Sequence, residues 1–90
     1  MIAPDQLLRL RAGYRLQFET AQQSWVLLFP EGMIRLNDSA GLILQTFIDQ
    51  PQTADAVVAQ LQQQFPDQDI RADVLEFLAD AYEQRWLHPV

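Results

Sequence analysis

The apolar positions of this chain change period partway along it, and the change marks where strands give way to helices. Tyr14, Leu16 and Phe18 alternate with Arg15, Gln17 and Glu19, a period of two that predicts a strand with one buried face. Trp25-Val26-Leu27-Leu28-Phe29 is continuously apolar. A strand covered on both faces reads this way, so Ser24 to Phe29 is predicted as the centre of a three-stranded sheet. Pro30-Glu31-Gly32 predicts a tight turn, since proline cannot donate to a ladder and glycine tolerates positive φ. Met33 to Leu36 returns as a third strand, with Ile34 and Leu36 on one face and Met33 and Arg35 on the other.

After Leu36 the spacing becomes helical. Asn37 is a good N-cap, and Asp38 sits where the positive end of a helix favours a carboxylate. Ala40, Ile43, Leu44, Phe47 and Ile48 form the apolar face of this first helix, which Pro51 stops. Thr53 is predicted to cap a second helix that buries Val57, Val58, Leu61 and Phe65 and wets Gln60 and Gln62-Gln63-Gln64. Pro66 ends it, and Asp69 is the expected cap of a third. Ile70, Val74, Phe77, Leu78, Ala81 and Tyr82 share a stripe of that third helix, and Asp73, Glu76, Asp80 and Glu83 lie outside it. Trp86 and Leu87 are expected to fold back as a plug. Residues 1–13, with Gln6-Leu7-Leu8-Arg9-Leu10-Arg11 between Pro4 and Gly13, read as an N-terminal arm. The predicted order is βββααα, which makes the class α+β. The make-up is winged-helix-like, a three-stranded antiparallel sheet followed by three helices, and residues 1–90 are expected to form a single domain.

Charge narrows the choice of partner. All six basic residues are arginines. Before Asn37, Arg9, Arg11, Arg15 and Arg35 face Asp5, Glu19 and Glu31, for a net +1; from Asn37 onward nine acids face Arg71 and Arg85, for −7, so that the whole chain carries −6. Such a surface repels phosphates, and no nucleic-acid partner is expected. There is no cysteine, hence no disulfide framework and no thiolate nucleophile. No run approaches the ~20 apolar residues that cross a bilayer, and the N-terminus lacks the apolar stretch of a signal peptide. The expected compartment is the cytoplasm, with no membrane partner.

The residues give little ground for catalysis. His88 has no base or nucleophile nearby in sequence and reads as an exposed spectator. Asp67 and Asp69 lack the rest of a calcium loop, and Ser24 and Ser39 lack the partner a nucleophile requires. No glycine-rich phosphate loop is present. The chain is therefore not expected to be an enzyme or to carry a cofactor or metal. A winged-helix scaffold can serve a small DNA-binding regulator, but such a regulator presents basic or amide side chains from a recognition helix. Here the second helix offers glutamines without a basic residue, and the third exposes mostly carboxylates.

Binding of a peptide is the stronger reading, and the third strand is its natural place. One side of Met33 to Leu36 pairs with the central strand, and a free outer side can accept an extended peptide as a further strand. The competing reading is an ordinary sheet edge, kept from aggregation by its shortness and by Arg35. Four residues supply only a few main-chain bonds at ~1 kcal/mol each, whereas micromolar affinity takes about 8 kcal/mol. A neighbouring groove must add apolar contacts, and the flexible side chain of Met33 suits such a surface. An open edge also permits a self-associating module, a homodimer formed by strand exchange being one form and a monomer the other.

Trp25-Val-Leu-Leu-Phe-Pro-Glu-Gly-Met-Ile-Arg-Leu-Asn37, with Ser39-Ala40 and Ile43-Leu44, resembles the pyrroloquinoline quinone (PQQ) biosynthesis protein D family. The match extends through Arg11 to Gln17, Val57 to Phe65, Asp73-Val74, Phe77-Leu78 and Trp86-Leu87. The resemblance implies a peptide chaperone, a precursor-peptide recognition domain without catalytic activity. It would bind the precursor peptide PqqA and present it to the radical S-adenosylmethionine (radical SAM) enzyme PqqE, which cross-links a Glu and a Tyr of that peptide. It further implies peptide contacts at Gly32, Met33, Ile34, Arg35 and Leu36. Walls would come from Asp38 and Leu42 of the first helix and Val74, Leu75 and Leu78 of the third. The chain departs from the family pattern at Gln50, which follows Asp49 where glycine is common, and at Arg85, where glycine often precedes the terminal Trp. Both departures fall at helix ends.

Overall fold

A computed structural model describes residues 2–90, with six strands and three helices in the order β1 (Leu7–Leu10), β2 (Arg15–Glu19), β3 (Ser24–Phe29), β4 (Gly32–Arg35), α1 (Asp38–Gln45), β5 (Gln52–Thr53), α2 (Ala54–Gln64), α3 (Arg71–Glu83) and β6 (Leu87–Pro89). The class is α+β, but the sheet is not single. β2, β3 and β4 form one antiparallel sheet in chain order, and β5, β1 and β6 form a second, with β1 in the middle.

The alternation and the apolar run sort the first sheet. Leu16 opposes Leu27, and Leu27 opposes Ile34, so these three face the helices together. Val26 and Leu27 are adjacent, point to opposite faces and are both fully buried, which accounts for the unbroken apolar run of β3. On the outer face Val26 is flanked by Gln17 of β2 and Arg35 of β4, whose longer side chains shield it. Phe29 pairs with Gly32, so Pro30 and Glu31 alone make the turn.

The expected N-terminal arm is corrected by the second sheet; Met1, its first residue, lies outside the described residues. Leu8 is fully buried and pairs with Gln52 on one side and Pro89 on the other. The Asp55 N–H also donates to the Pro4 carbonyl, and the Arg11 N–H to that of Trp86, each within 3.1 Å. This sheet also corrects the reading of the C-terminus. Leu87 is buried as expected, but within a strand, and half-buried His88 pairs with Arg9 instead of standing free in solvent.

The helices differ from expectation at their ends. The Asn37 side chain accepts from the Ala40 N–H at 2.8 Å and that of Thr53 from the Ala56 N–H at 3.1 Å, so both predicted caps form. α1 stops at Gln45, short of the Pro51 stop expected for it and before Phe47 and Ile48 of its predicted face, because Thr46, Phe47 and Ile48 donate to the carbonyls three residues back. This tighter winding buries Phe47 and leaves Ile48 49% exposed. α3 begins after Ile70, which supplies no side-chain cap, and not after Asp69. One apolar cluster draws on both sheets and all three helices, including Leu8, Leu27, Leu44, Val57, Leu78 and Leu87.

Candidate functional site

β4 is an edge strand, paired only with β3 among the described residues. The Leu36 N–H donates to the Trp25 carbonyl at 2.9 Å. In an antiparallel ladder bonded positions recur every second residue, so Leu36, Ile34 and Gly32 turn their main-chain groups toward β3. Met33 and Arg35 turn theirs outward. Two N–H groups and two carbonyls are thereby presented along a free edge. The side chains follow the same alternation: Ile34 and Leu36 pack inward, whereas Met33 is 55% exposed and Arg35 is exposed beside it.

Four residues beyond Arg35, at Ser39, begins an apolar groove of about 330 Å³. Ser39, Leu42 and Ile43 of α1 form one wall, and Asp73, Val74 and Phe77 of α3 the other. Leu61, Phe65, Gln68 and Ile70 form the end contributed by α2 and its connection to α3. Gln62 fixes that end by donating through Nε2 to the carbonyls of Phe65 at 2.7 Å and Gln68 at 2.6 Å. The lining is apolar below and polar at Ser39, Gln68 and Asp73, an arrangement that buries an apolar side chain and leaves hydrogen-bonding groups around it.

The predicted site residues separate in space. Leu42 and Val74 line the groove from its two walls. Gly32, Met33, Ile34, Arg35 and Leu36 form the edge and the chain leaving it, but none lines the groove. Asp38, exposed at the start of α1, lies between the two in sequence. Leu75 is half-buried off the groove, and Leu78 is fully buried in the core one turn beyond Val74. The principal wall residues that sequence reasoning missed are Phe65 and Phe77. Both are bulky aromatics assigned to buried helix faces, and both remain half-buried, which is the trace such residues leave at a groove. No group of three or more metal-ligating side chains assembles among the described residues, and no helix there is long and apolar enough to cross a membrane.

The fold and the site define a small α+β domain with an open strand edge beside an apolar helical groove. A family model described as Coenzyme PQQ synthesis protein D (PqqD) matches residues 24–87, and the chain belongs to that family. Its relatives include a protein of Acinetobacter baumannii (strain AYE) named "PqqA binding protein", 50% identical over 78 residues that cover 86% of this chain and 82% of the relative. A protein of the same name from Azotobacter vinelandii is 50% identical over 80 residues, 88% of this chain and 86% of its own. The solution structure of the PqqD part of Methylobacterium extorquens PqqCD is described as a stand-alone recognition element for ribosomally synthesized and post-translationally modified peptides. It superposes with a TM-score of 0.78 at 32% identity, covering 98% of this chain and 95% of that one. The crystal structure of PqqD from Xanthomonas campestris gives a TM-score of 0.52 at 34% identity over 98% and 99% of the two chains.

Proposed function

We propose that this chain is a single-domain peptide chaperone of PQQ biosynthesis. It binds the precursor peptide PqqA and presents it to the radical SAM enzyme PqqE. The observation that carries the reading is the outward-facing main chain of Met33 and Arg35 on an unpaired edge. The relatives named for binding PqqA support the choice of peptide. The β2-β3-β4 sheet followed by three helices serves as a winged-helix-like frame, and its role is binding, with the chemistry left to the partner enzyme. It works in the cytoplasm, as a monomer or as a homodimer through the same edge.

The peptide adds as a strand beside β4, making contacts from Gly32 to Leu36. Two residues exchanging both main-chain bonds contribute four hydrogen bonds, about 4 kcal/mol net. That is half of the roughly 8 kcal/mol required at micromolar affinity. An extended chain rises ~3.3 Å per residue, so a few residues carry it past Asp38 to the groove. One or two apolar side chains buried there between Leu42 and Val74 add about 1.5–3 kcal/mol each. Leu75 and Leu78 contribute behind this wall by holding α3 in place.

The test is a titration of PqqA into the Met33→Pro variant, which loses one outward N–H while keeping the bonds between β3 and β4. Affinity is expected to fall about tenfold, the effect of one main-chain bond and a poorer strand fit. Unchanged affinity in the folded variant would remove strand addition as the mode of binding.

A further inference from the structure

At the other end of α3 from the groove, a second cavity of about 370 Å³ is lined by Arg11, Tyr82, Arg85, Leu87, His88 and Pro89. Its chemistry is opposite to that of the chain around it. The protein carries −6, yet two of its six arginines converge here and no carboxylate is among the lining residues. Asp80 and Glu83 of the same helix stay outside it. The one ion pair among the described residues joins Arg71 to Asp55 elsewhere, and neither the Arg11 nor the Arg85 guanidinium donates a hydrogen bond to any other described residue. The Nε2 atom of His88 in the same wall is shielded from solvent and also lacks a partner among the described residues.

The backbone holds this arrangement in a costly way. Arg85 has φ +66°, the left-handed conformation that glycine adopts freely and a side-chain-bearing residue resists. It closes α3: the Arg85 N–H donates to the Tyr82 carbonyl at 3.1 Å and the Trp86 N–H to that of Ala81 at 2.9 Å. Glycine would serve that turn better, but glycine has no guanidinium to place at the cavity. Arg11 lines the same cavity, held by its own N–H donating to the Trp86 carbonyl at 2.9 Å and by its guanidinium lying 5.8 Å from the centre of the Tyr14 ring.

We propose that this cavity is a carboxylate site, with Arg11 and Arg85 taking an acidic side chain or a free C-terminus from a peptide or protein partner. Guanidinium forks match planar carboxylates, and a single negative charge is better tolerated than a phosphate dianion beside so acidic a chain. The site is separate from the β4 edge and does not depend on strand addition there.

The experiment is an NMR titration of the full chain, following the arginine Nε–H signals with two short probe peptides. One is a capped Gly-Glu-Gly whose only charge is its side chain. The other is an acetylated Gly-Ala-Gly with a free C-terminus, and the difference between them identifies the source of the carboxylate. Saturable shifts of Arg11 and Arg85, absent from Arg9, Arg15 and Arg35, are expected with at least one probe. Arg85→Gly is expected to stay folded, with an unchanged or higher Tm, and to bind about tenfold or more weakly, as loss of a charge-assisted bond requires. Arg11→Gln provides the same test without touching the helix end. Shifts that do not saturate, that are shared by all arginines or that survive in both variants overturn the proposal. Tighter binding of inorganic phosphate than of either peptide overturns the carboxylate assignment. These probes contain no PqqA sequence, and the β4 edge is read by the separate PqqA titration of Met33→Pro, so failure here is distinguishable from failure of the β4 edge.

Discussion

A β-carbon placed on Gly41 would stand 2.8 Å from Cδ1 of Trp25, and 3.1 and 3.2 Å from its Cγ and Cβ. α1 lies directly on the β3 tryptophan because residue 41 has no side chain. That close approach sets the height of α1 above the sheet and so the position of Leu42 and Ser39, one wall of the groove. Gly41→Ala gains about 1 kcal/mol of helix propensity, but forcing a methyl against atoms close to the Trp25 backbone costs about 1–3 kcal/mol. The variant should be less stable by up to about 2 kcal/mol in urea denaturation. Trp25→Leu in the same background should recover part of the loss, as a double-mutant cycle would show.

Neighbouring positions on β4 should respond oppositely to proline. The Ile34 main chain faces β3, so Ile34→Pro removes an internal ladder donor and should cost about 1–3 kcal/mol of stability. The Met33 N–H faces away, and Met33→Pro should cost less than about 1 kcal/mol, as befits an edge position. Thermal melts of the two variants check the register. Equal losses would mean that the outward residues are not Met33 and Arg35.

The helical walls can be ranked by side chains on and off the groove. Leu42→Gln replaces a lining apolar group and should weaken PqqA binding about three- to tenfold, equivalent to the partial burial of one leucine. Leu75→Gln lies off the groove, acts only through the seating of α3, and should weaken binding less than Leu42→Gln does. Calorimetric titration of both variants measures the difference directly.

Gln52 is the buried polar residue of the core, 6% exposed. Its Nε2 donates to the Thr46 carbonyl at 2.7 Å and its Oε1 accepts from Gln60 Nε2 at 3.0 Å, clasping the end of α1 to β5 and α2. Gln52→Ala leaves the Thr46 carbonyl without its donor and should destabilise the fold by about 1–3 kcal/mol. Denaturant midpoints of the variant and parent protein read this loss.

Part of the molecule is legible in the sequence because its signals are local. The alternation of Tyr14 to Glu19, the apolar run of β3, the Pro30-Glu31 turn and the Asn37 and Thr53 caps each depend on residues within a few positions of one another. So do the helical stripes, and the exposed, outward character of Met33 and Arg35 follows from the same alternation. The second sheet has no such signal. Leu8 pairs with Gln52 and Pro89, near the middle and the far end of the chain, through strands of two to four residues that are too short to show a period. The groove is similarly non-local: Leu42 and Val74 come to line one space only after α1, α2 and α3 have packed, and Phe65 and Phe77 become walls only then. Sequence alone determined which residues could form the edge. Packing between distant segments decided that Leu78 is core, that Phe77 is a wall, and that Arg11 and Arg85 line one cavity.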